Sequence, residues 1–113
     1  MCQDLLYTIY GNDYKSMVED ILTAAKIVDD IPNKDSLIGL KPNLVLARPA
    51  DSGATTAPEL VKALIEHLKS HGYHNIIILE GSWVGDRTSR AFDVCGYTDL
   101  SRKYDVPLVD LQR

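Results

Sequence analysis

The segment "TAPELVKALIEHLKSHGYHNIIIL", residues 56–79, decides the fold because it joins a clear helix to a clear strand. Its start matches a capping box, with Thr56 as the N-cap and Glu59 three residues later, and Pro58 lies in the first turn, where proline is tolerated. Apolar residues then recur at helical spacing on one face, and Gly72 is a natural stop. The final β-branched run, "NIIIL", predicts a central strand buried on both faces.

Helical and extended patterns alternate on both sides of this segment. We predict strands at Leu5–Tyr10, Asn43–Ala47, Asn75–Leu79 and Val106–Leu111, and helices from Tyr14 to about Asp30, from Thr56 to Gly72, at Arg87–Val94 and at 98–104. The order β-α-β-α-β-α-β predicts a parallel sheet with right-handed crossovers. We therefore predict a single α/β domain over residues 1–113, a Rossmann-like three-layer α/β unit with a short, mainly parallel sheet. Because the chain ends soon after the last strand, we expect it to be the N-terminal fragment of a longer architecture, with a C-terminal segment missing.

Composition excludes several classes of protein. The chain has 45% hydrophobic and 25% charged residues, as globular domains do, and its net charge of −4 without a basic cluster argues against a nucleic-acid partner. We find neither a signal peptide nor a membrane span, and we predict a cytoplasmic location. Cys2 and Cys95 form no C-x-x-C pattern, so this chain alone provides no zinc site and no iron–sulfur cluster.

Two loops follow predicted strands, at Arg48–Thr56 and Glu80–Asp86. Ligands of open α/β sheets bind outside the carboxyl ends of the strands, and backbone N–H groups at a helix start favour anions. We therefore predict a site for a small anionic ligand or cofactor, with Arg48 and Arg87 supplying positive charge. Neither loop has a G-x-G-x-x-G or P-loop pattern, and we predict no metal ligands. The predicted ligand-binding residues are Arg48, Ser52, Gly53, Thr55, Thr56, Glu80, Gly81, Ser82 and Gly85.

Several of these residues have a structural alternative. Ser52 and Thr55 also fit an ordinary loop, and Thr56 a helix cap. Glu80 fits either a catalytic or metal-binding acid or a carboxylate that caps loop amides, while Asp86 fits an N-cap. The sequence leaves open whether the single tryptophan, Trp83, is core, interface or lid.

Ordered phrases along the chain resemble a known family. They are "KPNLV" at 41–45, "SGATTAPELVKALIEHLKSHG" at 52–72, "IILEGSWVGDRTSRAF" at 77–92, "CGY" at 95–97 and "VPLVDL" at 106–111. Together they resemble the N-terminal part of the family catalogued as domain of unknown function 362, over roughly residues 40–111. Many family members carry ferredoxin-type cysteine clusters in a further segment, which implies a possible redox or metal-dependent enzyme as the whole; this chain lacks such cysteines.

Two hypotheses of function follow. In the first, the domain binds a small anionic ligand at the two loops as part of a larger enzyme. In the second, it is a structural or oligomerisation domain without a site of its own, stable either alone or as a homo-oligomer. The first hypothesis requires Glu80 and the "SGATT" loop to lie side by side.

Overall fold

Three short parallel strands and four α-helices make up the computed structural model, which describes residues 4–112. The elements follow the order α1-β1-α2-β2-α3-α4-β3. Their bounds are α1 Tyr14–Ala25, β1 Ile38–Leu40, α2 Pro58–Ser70, β2 Ile76–Glu80, α3 Thr88–Val94, α4 Tyr97–Tyr104 and β3 Leu108–Asp110.

The strands lie in the order β1-β2-β3, and both pairs are parallel. In the register, Ile38 is opposite Ile76 and Glu80 is opposite Asp110. The run "NIIIL" is confirmed as part of the central strand. The predicted α/β class with a short parallel sheet is also confirmed.

The core lies between the sheet and the helices. Helix α2 contacts both α1 and α4, and α4 contacts α3. Along β2, Ile76, Ile78 and Glu80 are buried, whereas Ile77 and Leu79, which point to the opposite face, are only partly buried. The strand is thus fully covered on one face, rather than on both as its apolar run predicts. The core cluster comprises Leu40, Leu44, Val61, Ile65, Leu68, Tyr73, Ile76, Ile78, Ala91, Phe92, Cys95, Tyr97, Leu100 and Val106.

The prediction of a strand at Leu5–Tyr10 is wrong. Residues 5–10 adopt no regular structure, and Leu6 and Tyr10 are 87% and 96% exposed. A loosely alternating pattern produces a strand only where a sheet edge accepts its N–H and C=O groups, and this segment pairs with none of the three strands. No helix within residues 4–112 is long and apolar enough to cross a membrane.

The second predicted strand is misplaced. Strand β1 precedes the "KPNLV" phrase, while Asn43–Ala47 contributes only one isolated antiparallel bridge, from Leu44 to Thr55. Pro42 has no N–H to donate to a ladder, and two N–H groups of the segment donate to side-chain carboxylates instead. The segment is apolar because Leu44 is fully buried and not because it belongs to the sheet.

Helix ends also differ from the predictions. Helix α2 begins at Pro58, and its N-cap is Ala57. The prediction of a capping box with Thr56 as the N-cap is therefore wrong. Helix α1 ends at Ala25, where Lys26 adopts a left-handed conformation, and a 3₁₀ turn at Ile27–Asp30 follows. The helix starts after Glu80 and near Thr98 agree with prediction to within one residue.

We expect Ile65→Ala to lower the free energy of unfolding by about 2–5 kcal/mol, since it leaves a cavity under the sheet at a fully buried site. Urea unfolding followed by circular dichroism measures this change. Leu60→Ala is the matched control on the same helix, because Leu60 is exposed and its loss is expected to cost less than about 1 kcal/mol. Equal effects of the two changes would contradict this core.

Candidate functional site

Glu80 ends the central strand with its carboxylate almost completely buried. Its Oε2 accepts a hydrogen bond from the N–H of Leu44 at 2.6 Å, and its Oε1 accepts one from the N–H of Gly81 at 3.0 Å. The Nζ of Lys41 lies 3.0 Å from Oε1. Both oxygens are therefore occupied by groups of the protein. This geometry favours the alternative in which Glu80 caps loop amides.

Glu80 and the "SGATT" loop meet through one intervening residue. Leu44, which donates to Glu80, forms its bridge with Thr55. Beside it, the N–H of Asn43 donates to Thr56 Oγ1 at 2.8 Å, and the N–H of Thr56 donates to the Asn43 carbonyl at 3.0 Å. The two predicted loops therefore lie together at the carboxyl end of β2, as the ligand-binding hypothesis requires.

The second loop is joined to the segment after Leu44 by further hydrogen bonds. The hydroxyl of Ser82 donates to the Leu44 carbonyl at 2.7 Å, and the N–H of Trp83 donates to the Val45 carbonyl at 2.9 Å. At the far end, the N–H of Ala47 donates to the carboxylate of Asp86 at 2.8 Å. The second loop thus runs beside residues 44–47, which lead into the first loop.

Asp86 connects the two loops instead of capping α3 through its side chain. Helix α3 has Arg87 as N-cap without a side-chain hydrogen bond. The N–H of Ala47, and then that of Arg87, hold the pKa of the Asp86 carboxyl below its usual value, with a further contribution from the guanidinium of Arg90 at 3.1 Å. The carboxylate is therefore ionised and committed to the scaffold.

The hydroxyls of the first loop are also used within the protein. Ser52 donates to the Pro49 carbonyl at 2.6 Å, and Thr55 donates to the Arg48 carbonyl at 2.7 Å. Gly53 has a φ of 81°, which suits glycine at the end of the short 3₁₀ turn. These contacts favour the ordinary-loop alternative for Ser52 and Thr55.

Tyr97 contacts the first loop, Arg48–Thr56, from the hydrophobic core. Its side chain is fully buried, and its hydroxyl donates to the Thr56 carbonyl at 2.8 Å. Burial is the main cause that raises the pKa of Tyr97, so the phenol stays neutral and remains a donor. The core therefore helps to position the first loop through this hydrogen bond.

Between the two loops lies a cavity of about 340 Å³. Its wall contains two cationic side chains and one indole. Trp83 is 60% exposed, which excludes a core role for the ring. The lining residues are Leu46, Ala47, Arg48, Trp83, Gly85, Asp86 and Arg90.

The cavity includes only part of the predicted set. Arg48 and Gly85 line it, and the remaining predicted residues are not part of the lining: Ser52, Gly53, Thr55, Thr56, Glu80, Gly81 and Ser82. The sequence analysis expected positive charge from Arg87, but Arg90 lines this cavity instead. The helical spacing of four residues from Asp86 to Arg90 is the signal that could have identified it.

Gln112 is a further residue that sequence reasoning missed. Its Oε1 accepts a hydrogen bond from the N–H of Thr88 at 2.8 Å. Its Nε2 donates to the carbonyls of Asp86 and Trp83, at 2.5 and 3.3 Å. The Gln112 amide thereby connects the end of β3 to the second loop and the start of α3. No local sequence pattern predicts this role.

The histidine pair lies away from this cavity, where α2 contacts α1. His67 is buried, its Nδ1 lies 3.1 Å from Glu19 Oε2, and its ring centroid is 4.5 Å from that of His71. The Nε2 of His67 has no hydrogen-bond partner. Within residues 4–112, no group of three or more His, Cys, Asp or Glu residues is arranged to hold a metal ion.

A comparison with protein-family models identifies the family of the chain. A family model described as "Domain of unknown function (DUF362)" matches residues 38–113, which is more than half of the chain. The chain belongs to the DUF362 family. The match begins at the first residue of β1, so the DUF362 region contains the whole sheet and both loops of the site. Comparison with curated proteins and with solved structures gives no significant match.

We expect Glu80→Ala to lower the free energy of unfolding by about 2–4 kcal/mol, because the N–H of Leu44 loses its acceptor in a buried position. The free energy of unfolding of Glu80→Gln is expected to lie between those of the wild type and Glu80→Ala, since its amide oxygen can accept from only one of the two N–H groups. Urea unfolding measures both variants. Asp99→Ala is the control at an exposed ion pair and is expected to cost less than about 1 kcal/mol. A neutral Glu80→Ala variant would contradict the capping role.

We also expect Asp86 to contribute pH-dependent stability. Its pKa is lowered from 3.8 in the folded state, so its contribution is fully present above the unfolded-state pKa and is lost as the pH falls through the folded-state pKa. The difference in unfolding free energy between wild type and Asp86→Asn should therefore shrink between about pH 7 and about pH 3. Urea unfolding at each pH measures it.

The control for this comparison is Asp99→Asn, at a carboxylate that is 89% exposed. Its difference from wild type should be small at both pH values. A gap for Asp86→Asn that is unchanged in acid would show that the two backbone N–H groups do not favour the ionised form.

Proposed function

We propose that this DUF362 domain binds a small anionic ligand in the cavity between its two strand-end loops, as the ligand-binding part of a larger redox or metal-dependent enzyme. The observation that supports the proposal most directly is the pairing of Arg48 and Arg90 across a cavity whose one carboxylate, Asp86, is already committed to backbone N–H groups.

The charges of the lining favour an anion. The guanidinium of Arg48 forms no ion pair with any carboxylate in the described part of the chain, and its side chain is exposed. Arg90 forms an ion pair with the Asp86 carboxylate through Nη1 only, and its side chain is 63% exposed. Arginine presents five donors, so both side chains retain N–H groups for a carboxylate or phosphate. A net charge of −4 over the whole chain does not oppose such a site, because local charges dominate within a Debye length.

The scaffold favours a preformed site. Each loop is held by backbone and side-chain hydrogen bonds that involve no ligand, from Glu80 at one end to Asp86 at the other. A rigid wall loses little conformational entropy when a ligand binds. The position at the carboxyl end of the central strand is also the general location of ligands in open parallel sheets.

The second candidate function is that of an oligomerisation domain. The exposure of apolar residues outside the cavity favours it: Leu5, Leu6, Tyr10 and Val84. Single exposed apolar residues are common on monomers, so this observation is weaker than the pairing of two arginines across a cavity.

Thermal unfolding in the presence of sulfate, phosphate and citrate tests the binding function. An anion at 100 times its dissociation constant stabilises the folded state by about 2.7 kcal/mol, which raises the melting temperature measurably. We expect Arg48→Ala and Arg90→Ala each to abolish most of this shift. Arg102→Ala is the matched control, because Arg102 lies on α4 and is paired with Asp99 on the surface.

Two outcomes would contradict the binding function. One is the absence of a shift with every anion, and the other is an equal loss in all three arginine variants. Light scattering on the same samples tests the second candidate, since a stable dimer that does not respond to anions would favour oligomerisation.

A further inference from the structure

We propose that the ligand of this cavity is an aromatic anion, whose flat ring stacks on the exposed face of Trp83 while its acidic group pairs with Arg48 and Arg90. This inference rests on the proposed function and adds the chemical class of the ligand. It is carried by the position of the indole, which the anion-binding proposal does not use.

The backbone of Trp83 is held at both of its polar groups. Its N–H donates to the Val45 carbonyl at 2.9 Å, and its carbonyl accepts from the N–H of Asp86 at 2.9 Å and from Gln112 Nε2 at 3.3 Å. The ring therefore projects from a fixed point in the wall. A fixed indole loses little side-chain freedom on binding, which favours its use as a contact surface.

The ring lies directly against Gly85. A Cβ atom at Gly85 would come within 1.9 Å of Cζ3 of the indole and 2.5 Å of Cε3. One side of the ring is thus covered by bare backbone, which only glycine permits at this separation. Trp83 is nevertheless 60% exposed, and it is one of the residues that line the cavity.

The other walls complement a ring with an acidic edge. Leu46 and Ala47 contribute apolar surface, and Arg48 and Arg90 contribute the donors. Aromatic rings prefer offset stacking on an indole, and a guanidinium binds a carboxylate through two parallel N–H···O bonds. A saturated carboxylate of equal size pairs with the arginines equally well but gains less from Trp83.

The size of the cavity suits a small ligand. At about 340 Å³ the cavity is at the small end of ligand sites, which span roughly 300–1,000 Å³. One ring system with one acidic group fits this volume. Neither loop has a glycine-rich dinucleotide pattern.

Isothermal titration of the whole chain with benzoate and with cyclohexanecarboxylate tests the inference, since the two acids differ in aromaticity at similar size. We expect benzoate to bind about tenfold more tightly, the larger end of what an aromatic pair contributes. Benzamide, which has the ring without the charge, is expected to bind too weakly to measure. Trp83 is the only tryptophan, so the shift of its single indole N–H resonance locates the binding.

The variants separate the ring from the charge. Trp83→Leu is expected to remove the preference for benzoate, because it weakens benzoate binding more than cyclohexanecarboxylate binding. Gly85→Ala, which displaces the indole, is expected to do the same, whereas Arg48→Ala weakens both acids. Arg102→Ala is the control and leaves both affinities unchanged. Trp83 is largely exposed, so Trp83→Leu keeps the fold, and circular dichroism checks this for each variant.

The outcomes distinguish the two proposals. Equal affinities for the two acids in the wild type, both lost in Arg48→Ala, would overturn the aromatic ligand and leave the anion site intact. No binding of either acid, together with no thermal shift from inorganic anions, would overturn both. A preference for benzoate that survives Trp83→Leu would also overturn the stacking inference.

Discussion

The buried carboxylate of Glu80 is the interaction on which the site depends. It ends the central strand and accepts from the N–H of Leu44, which lies in a segment that has no strand partner of its own. A buried N–H without an acceptor costs more than a typical hydrogen bond contributes, so this side chain is a main support of the chain after β1, together with the hydrogen bonds of Ser82 and Asp86 to the same segment. The first loop, the bridge to Thr55 and the cavity wall all follow from the position of Leu44.

Most helices and strands after Tyr14 could be predicted from the sequence, and the errors fall on apolar or alternating runs that do not pair with the sheet. Helix α2 and strand β2 were predicted because thirteen and five residues of consistent pattern outweigh local exceptions. The segment 43–47 was misinterpreted because burial and strand pairing give the same apolar run. The Thr56 cap was wrong because the hydroxyl that fits a capping box binds the N–H of Asn43 instead.

The position of the candidate site follows from a general rule, whereas its lining depends on contacts between distant segments. Ligands of open parallel sheets lie beyond the carboxyl ends of the strands, and the two loops that this rule selects meet at Leu44 in the structure. The spacing of four residues from Asp86 to Arg90 is visible in the sequence. The contact of Asp86 with Ala47, and the inward turn of Ser52 to a carbonyl of its own loop, have no such local signal.

The amide of Gln112 has a consequence for the order in which the protein matures. Its hydrogen bond with the N–H of Thr88 joins two residues that are 24 positions apart in the sequence, and Gln112 follows just after the end of β3. On a ribosome, which releases the chain from its N-terminal end, the hydrogen bonds from Gln112 to the second loop therefore form only after the third strand has emerged. Until then the loop that carries Trp83 is held by its hydrogen bonds with residues 44–47.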